Sequence, residues 1–226
     1  MFFVNSYAAR DLFINALNRG CGRFVYASST AVYGNLPVPF QESQEPRPLS
    51  EYGESKKLLE NLVKEVNGKF PEAVFVGLMY CNVYGPREAD KGVRSTMIYQ
   101  LAKQMTQGDP NIFTDGEQKR DYIYLKDVVR ANILASHSME SCVVNCGFGK
   151  SVSFNRLIQI LNSVLGTSRS PVYIENPEPE SYQNYTECDM SLALEKIGFK
   201  PIFDINAGIL DYYRSGALIS GTMPTV

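Results

Sequence analysis

Histidine is nearly missing from this chain of 226 residues: His137 is the single example. A zinc site therefore has little to build on. Cysteine is scarce and scattered, at positions 21, 81, 142, 146 and 188. That odd number at wide spacing argues against a disulfide framework and suits small core residues in a reducing cytoplasm. Cys142 and Cys146 have the spacing of one helix face, but the Val143-Val144 pair between them reads as strand. No apolar run is long enough to span a bilayer. An excess of one charge is missing too. The net charge of −2 exerts no general pull on nucleic acid or on an anionic membrane. The opening Met1-Phe-Phe-Val-Asn-Ser6 has no basic stretch and soon meets Arg10 and Asp11, so no signal peptide is expected. Internal repeats and low-complexity tracts are absent.

What is present is apolar material, 44% of the residues, enough for one domain or a domain with a lobe. Asn5 or Ser6 is placed to cap a helix running to about Asn18, with Gly20 as its stop. Arg23 to Ser28 reads as a buried strand, and residues 35–50 as a proline-rich loop. A helix is expected from about Ser50 to Asn67, ended by Gly68, and a second buried strand from Ala73 to Tyr80. Helix, strand, helix, strand, with apolar rather than alternating strands, indicates a parallel sheet covered by helices. Ligands on such sheets gather at the C-terminal strand ends, where Ser28-Ser29 and Cys81-Asn82 emerge. Further on, helices are expected over 94–107, 126–138, 154–165, 190–197 and 205–215, and short strands over 112–113, 122–125, 142–146 and 172–174.

The residues that suggest chemistry cluster early. Tyr52 and Lys56 are four apart on the second helix and share a face. A phenol is a poor base at neutral pH, and a nearby ammonium favours its ionised form. Taken alone the pair is as readily an inconsequential surface contact. Ser29 adds weight, because a hydroxyl held at the sheet edge can donate to an oxygen that Tyr52 deprotonates. Its bland alternative is a turn serine satisfying local backbone.

Five segments, Tyr26-Ala-Ser-Ser-Thr-Ala-Val-Tyr-Gly34, Tyr52-Gly-Glu-Ser-Lys56, Asn82-Val-Tyr-Gly-Pro-Arg87, Lys119-Arg-Asp-Tyr-Ile-Tyr124 and Asn145-Cys-Gly-Phe-Gly149, keep their order across most of the chain. Together they resemble the extended short-chain dehydrogenase/reductases, the nucleotide-sugar epimerases and dehydratases. Through Asn82-Val-Tyr-Gly-Pro-Arg-Glu-Ala-Asp-Lys-Gly92 the chain is similar, within that group, to the ADP-L-glycero-D-manno-heptose 6-epimerase family. The resemblance implies Ser29, Tyr52, Lys56 and Lys91 as catalytic, Lys91 being the second acid/base group. It implies Asn5, Tyr52 and Lys56 on the cofactor, NAD or NADP. It implies Asn82, Arg87, Phe113, Arg120 and Tyr182 on a nucleotide-sugar substrate, and Arg94 also suits phosphate. Lys91 otherwise reads as a solvated loop charge. Dehydratases of the group carry Asp-Glu after the strand-end threonine. Here Thr30 is followed by Ala31-Val32, which leaves epimerisation or simple oxidoreduction.

The resemblance implies an α/β fold: a partial Rossmann-like, doubly wound parallel sheet with a smaller α/β substrate-binding lobe. Residues 1–81 and 121–151, with about 184–198, fall to the dinucleotide-binding domain, and 82–120, 152–183 and 199–226 to the lobe. The family's Gly-x-x-Gly-x-x-Gly phosphate loop is not found in this sequence. The N-terminal strands are therefore expected to be absent, and the Arg23 to Ser28 strand, central in the family, is expected as a bare edge. A UDP-hexose 4-epimerase or nucleotide-sugar reductase is the second enzyme reading, and a non-catalytic scaffold remnant a third. A homodimer through the two N-terminal helices, in the cytoplasm and with neither nucleic acid nor membrane as partner, completes the expectations.

Overall fold

The computed structural model describes residues 1–177 and 183–220. A π-helical turn, Phe3–Tyr7, runs directly into α1 (Ala8–Leu17). Asn5 and Ser6 therefore do not cap a helix; they lie within one. Both reach across to the next helix instead: Asn5 Nδ2 donates to Ser55 Oγ at 3.0 Å, and Ser6 Oγ to the Ser55 carbonyl at 2.8 Å. A buried tertiary partner has overridden the local capping preference.

Strand β1 (Arg23–Ser29) ends in a short 3-10 turn, Thr30–Val32, and the proline-rich loop leads to α2 (Glu51–Lys69). Ser50 caps α2 by accepting from the Gly53 N–H at 3.1 Å, and Glu51 and Glu54 complement the positive end of the helix. Gly68 does not stop this helix, which runs one residue past it. Strand β2 (Val74–Tyr80) follows, then β3 (Val83–Tyr84), a 3-10 turn (Ala89–Arg94) and α3 (Met97–Met105). Next come β4 (Asn111–Phe113), β5 (Lys119–Asp121), β6 (Ile123–Tyr124), α4 (Leu125–Ser136), β7 (Cys142–Cys146) and β8 (Ser151–Ser153). The described chain closes with α5 (Phe154–Leu165), β9 (Val172–Ile174), α6 (Ser191–Ile197), α7 (Ile205–Arg214) and α8 (Ala217–Ser220).

The main sheet is parallel, in the order β1-β2-β7, with Ser29 level with Tyr80 and Tyr80 level with Cys146. β2 is its centre, with five consecutive buried residues from Phe75 to Met79. On one face Phe13, Tyr26, Leu59, Val63 and Phe75 pack α1 and α2 onto the sheet. On the other Val76, Leu78, Val128, Ala131, Val144 and Phe199 seat α4 and α6. A separate apolar cluster joins α3, α5, α7 and α8 through Ile98, Leu101, Leu157, Leu161, Tyr212 and Leu218. No helix among the described residues is long and apolar enough to cross a membrane.

A buried polar network pins the proline-rich loop to the working edge of the sheet. Asn145, with no exposed surface, accepts from the Tyr33 hydroxyl at 2.9 Å and donates to the carbonyls of Phe40 and Asp189. Asp121 does similar work nearby. Its carboxylate accepts from the backbone N–H groups of Phe148, Gly149 and Cys188. Cys81 and Cys188 lie against it with ligand atoms within 4.8 Å of one another. None of the five cysteines is in a disulfide.

Candidate active site

The C-terminal ends of β1 and β2 open into a cavity of about 580 Å³. The pairing register that sets Ser29 beside Tyr80 brings both residues to its wall. α2 supplies Tyr52, and the reason it comes so near is Gly53. A Cβ there would lie 2.6 Å from the Ala31 carbonyl oxygen and 2.8 Å from Pro48 Cβ. Only glycine lets the first turn of α2 rest on the turn that follows β1. Asn82, Lys91, Arg94 and Arg120 line the same cavity, from the loop after β2, the 3-10 turn and β5.

Lys56 stands one turn beyond Tyr52, its Nζ 5.7 Å from the centre of the phenol ring. The ammonium donates to the Ala27 carbonyl at 2.9 Å, so β1 and α2 are tied together beside the site. Burial pulls Lys56 below the usual lysine range, and the Glu60 carboxylate, one further turn along, pulls the other way. Glu60 is itself buried, accepts a hydrogen bond from the Ser28 hydroxyl, and is pushed up by desolvation. Ser29 is buried, and its Oγ accepts from the Ala31 N–H at 3.2 Å. The bland role of that serine as a turn cap is thus present, and it leaves the hydroxyl hydrogen for another acceptor. Tyr52, by contrast, is 42% exposed, open on the side where a ligand would stand.

Of the residues singled out in the sequence, Ser29, Tyr52, Asn82, Lys91, Arg94 and Arg120 are therefore collected around one cavity. Lys56 is adjacent. Asn5 is one shell back, acting through Ser55, whose hydroxyl donates to the Tyr52 carbonyl at 2.7 Å. Arg87 is exposed, holds a positive φ of 75°, and is not part of the wall. Phe113 sits at the end of β4, next to a second cavity of about 560 Å³ lined by Thr114, Gln118 and Lys119. Tyr182 lies outside the described residues. The wall also includes Tyr80, Thr96, Tyr122 and Phe154, which sequence reasoning did not single out. Tyr80 was the readable one, because it closes the strand whose partner ends in Ser29.

Residues 2–147 match the NAD dependent epimerase/dehydratase family. An ADP-L-glycero-D-manno-heptose-6-epimerase of Alkalilimnicola ehrlichii is 34% identical over 213 residues, which is 89% of this chain and 66% of that protein. The crystal structure of the Helicobacter pylori ADP-L-glycero-D-manno-heptose-6-epimerase superposes with a TM-score of 0.81 at 33% identity, over 93% of this chain and 64% of the other. A UDP-N-acetylglucosamine 4-epimerase from Methanobrevibacter ruminantium, solved with UDP-N-acetylmuramic acid, reaches a TM-score of 0.86 at 33% identity, over 93% and 67%. The chain thus spans about two thirds of the length of these relatives.

Proposed function

Because the chain belongs to the NAD dependent epimerase/dehydratase family, we propose that it acts on a nucleotide sugar as an ADP-glycero-manno-heptose 6-epimerase. The observation that carries this reading is the single cavity with Ser29, Tyr52, Lys91 and Arg120 in its wall. NAD, when bound, supplies the acceptor and later the donor of a hydride. The donor set suits its nicotinamide-ribose end: a half-exposed phenol, an ammonium beside the ring and a hydroxyl on the same wall. We assign residues 1–81, 121–151 and about 184–198 to the cofactor side and the remainder to the substrate side.

Tyr52 takes the proton of the sugar hydroxyl as that carbon is oxidised, and Ser29 donates a hydrogen bond to the oxygen that becomes a carbonyl. Lys56 places positive charge beside the Tyr52 ring and, through Ala27, fixes the helix relative to β1. Arg94 and Arg120 offer guanidinium groups to the diphosphate. The transient carbonyl turns over in the cavity, and Lys91 serves as proton donor or acceptor for the second orientation. The scattered cysteines suit a cytoplasmic enzyme, and the resemblance suggests pairing through the two N-terminal helices.

A ring 4-epimerase is the second reading, favoured by the higher fold similarity to the 4-epimerase structure. Proton NMR of the purified protein with NAD decides between them, by whether the two ADP-heptose 6-epimers or a pair of UDP-hexose 4-epimers interconvert. Tyr52→Phe is expected to cost about 10²–10⁴-fold in rate, as for loss of a positioned acid/base group, and Lys91→Met about 10²-fold. A Lys91→Met protein working at the wild-type rate on the heptose would remove the two-base scheme.

A further inference from the structure

The cavity wall contains a loop whose regular backbone bonding is confined to a 3-10 turn, Ala89–Arg94, broken at Gly92. It runs from Gly85, where φ is 145°, through Arg87 at 75° and Gly92 at 54°, to the start of α3. Lys91 projects from its middle, 47% exposed. Gln100 Nε2 holds the second half of the loop by donating to the Val93 and Ser95 carbonyls, and one buried side chain ties its two ends together. Glu88 is 1% exposed and its carboxylate binds both ends. Oε2 accepts from the Gly85 N–H at 3.3 Å and from the Thr96 hydroxyl at 3.0 Å. Oε1 accepts from the Thr96 N–H at 2.8 Å and faces Lys91 Nζ at 3.8 Å. Thr96 is also the residue before α3, so the carboxylate meets the positive end of that helix.

We propose that Glu88 is the positioning residue for Lys91, clasping the Gly85–Thr96 loop and holding the lysine against the cavity by a buried charge. What Lys91 does once held rests on the epimerase reading above. The physical case is one of asymmetry. A carboxylate removed from water is costly unless donors surround it, and here every donor belongs to the loop that must be kept in shape. Burial pushes the Glu88 carboxyl up, while Thr96, Lys91 and Gly85 pull it down. An exposed lysine on an unclasped loop would sample many rotamers. A lysine with a fixed counter-charge three residues back samples few.

The test uses Glu88→Gln, which keeps size and one acceptor but loses the charge, and Glu88→Asp, which keeps the charge on a shorter stem. The first readout is the acylation rate of Lys91 relative to exposed Lys150 in the same molecule, followed by mass spectrometry. Glu88→Gln is expected to raise that ratio by about 3-fold or more, since the ion pair no longer shields the amine, with Glu88→Asp near wild type. The second readout is turnover, where Glu88→Gln is expected to lower kcat about 10-fold with KM within about 2-fold, the pattern of a group placed for the transition state. An unchanged Lys91 ratio in Glu88→Gln overturns the proposal, including when the melting temperature falls, because that result describes a merely structural carboxylate. If the wild-type protein turns over no nucleotide sugar, the epimerase reading fails instead, and the acylation ratio still decides the role of Glu88.

Discussion

Asp121 shows how one buried side chain leaves a signature in the whole molecule's response to pH. It has no exposed surface, and its carboxylate is surrounded by the N–H groups of Phe148, Gly149 and Cys188. Those donors favour the ionised form, but desolvation is the larger effect and pushes the carboxyl up from 3.8 to about 6. Between those values the folded chain keeps a proton that the unfolded chain has released. The contribution of Asp121 to stability is therefore complete at the acid end of the window and is lost as the pH rises through about 6. A shift of this size corresponds to about 3 kcal/mol. Urea unfolding of the wild type and of Asp121→Asn, compared from about pH 4 to pH 7, reads it directly. The wild-type advantage over Asn is expected to shrink across that range. An advantage that grows with pH would mean the N–H donors win over burial. Glu88 belongs at this scale too. In sequence it is one charge among Arg87, Asp90 and Lys91, with no apolar periodicity around it, and only the fold reveals that it alone of these is buried.

At the scale of elements, the decisive contact is α2 against the turn after β1. Gly53 permits it, and replacing that glycine sets two effects against each other. Alanine improves helix propensity by about 1 kcal/mol. Its methyl, however, would enter the Ala31 carbonyl at 2.6 Å, and overpacking of this kind costs about 1–3 kcal/mol. Gly53→Ala is therefore expected to destabilise slightly, by about 1 kcal/mol in urea unfolding, and to harm turnover far more, because Tyr52 moves with the helix. A variant as active as the wild type would show that the close approach is not needed. The same contact explains what was legible beforehand. β1, β2, β7 and α5 were readable because apolar runs or clean amphipathic spacing leave few alternatives. The misread ends share a different cause. Asn5 and Ser6 look like caps locally and are captured by Ser55 50 and 49 residues away. Gly68 looks like a stop, but the chain bends only at Phe70, where Asn67 Nδ2 takes the Phe70 and Ala73 carbonyls. A helix expected from Arg94 begins at Met97 because Thr96 is held extended by Glu88. In each case a long-range or side-chain hydrogen bond decides the boundary, and spacing along the chain carries no trace of it.

For the whole molecule the open question is the edge of the main sheet. Among the described residues β1 pairs with β2 alone. Gly22 directs its carbonyl to Val74, so the backbone N–H and C=O groups of Phe24, Tyr26 and Ser28 turn toward β2 and those of Arg23, Val25 and Ala27 point outward. Lys56 covers the outward carbonyl of Ala27. Arg23, at the start, is the only charge on the strand, and its guanidinium is drawn away to the Ser136 carbonyl. Proteins blunt such edges with charge, proline or a covering element, and this one has little of the first and none of the second. Self-association through β1 is the expected consequence for the 226-residue chain in isolation. Light scattering over rising protein concentration should show the mean mass climbing. Ala27→Glu puts a charge at an exposed position of the edge strand at little cost to the core, and it is expected to hold the mass near 25.3 kDa. If wild type and variant associate equally, the edge is not the contact. The exposed apolar side chains of the N-terminal helical stretch, Phe3, Val4 and Leu12, would then be the surface to alter.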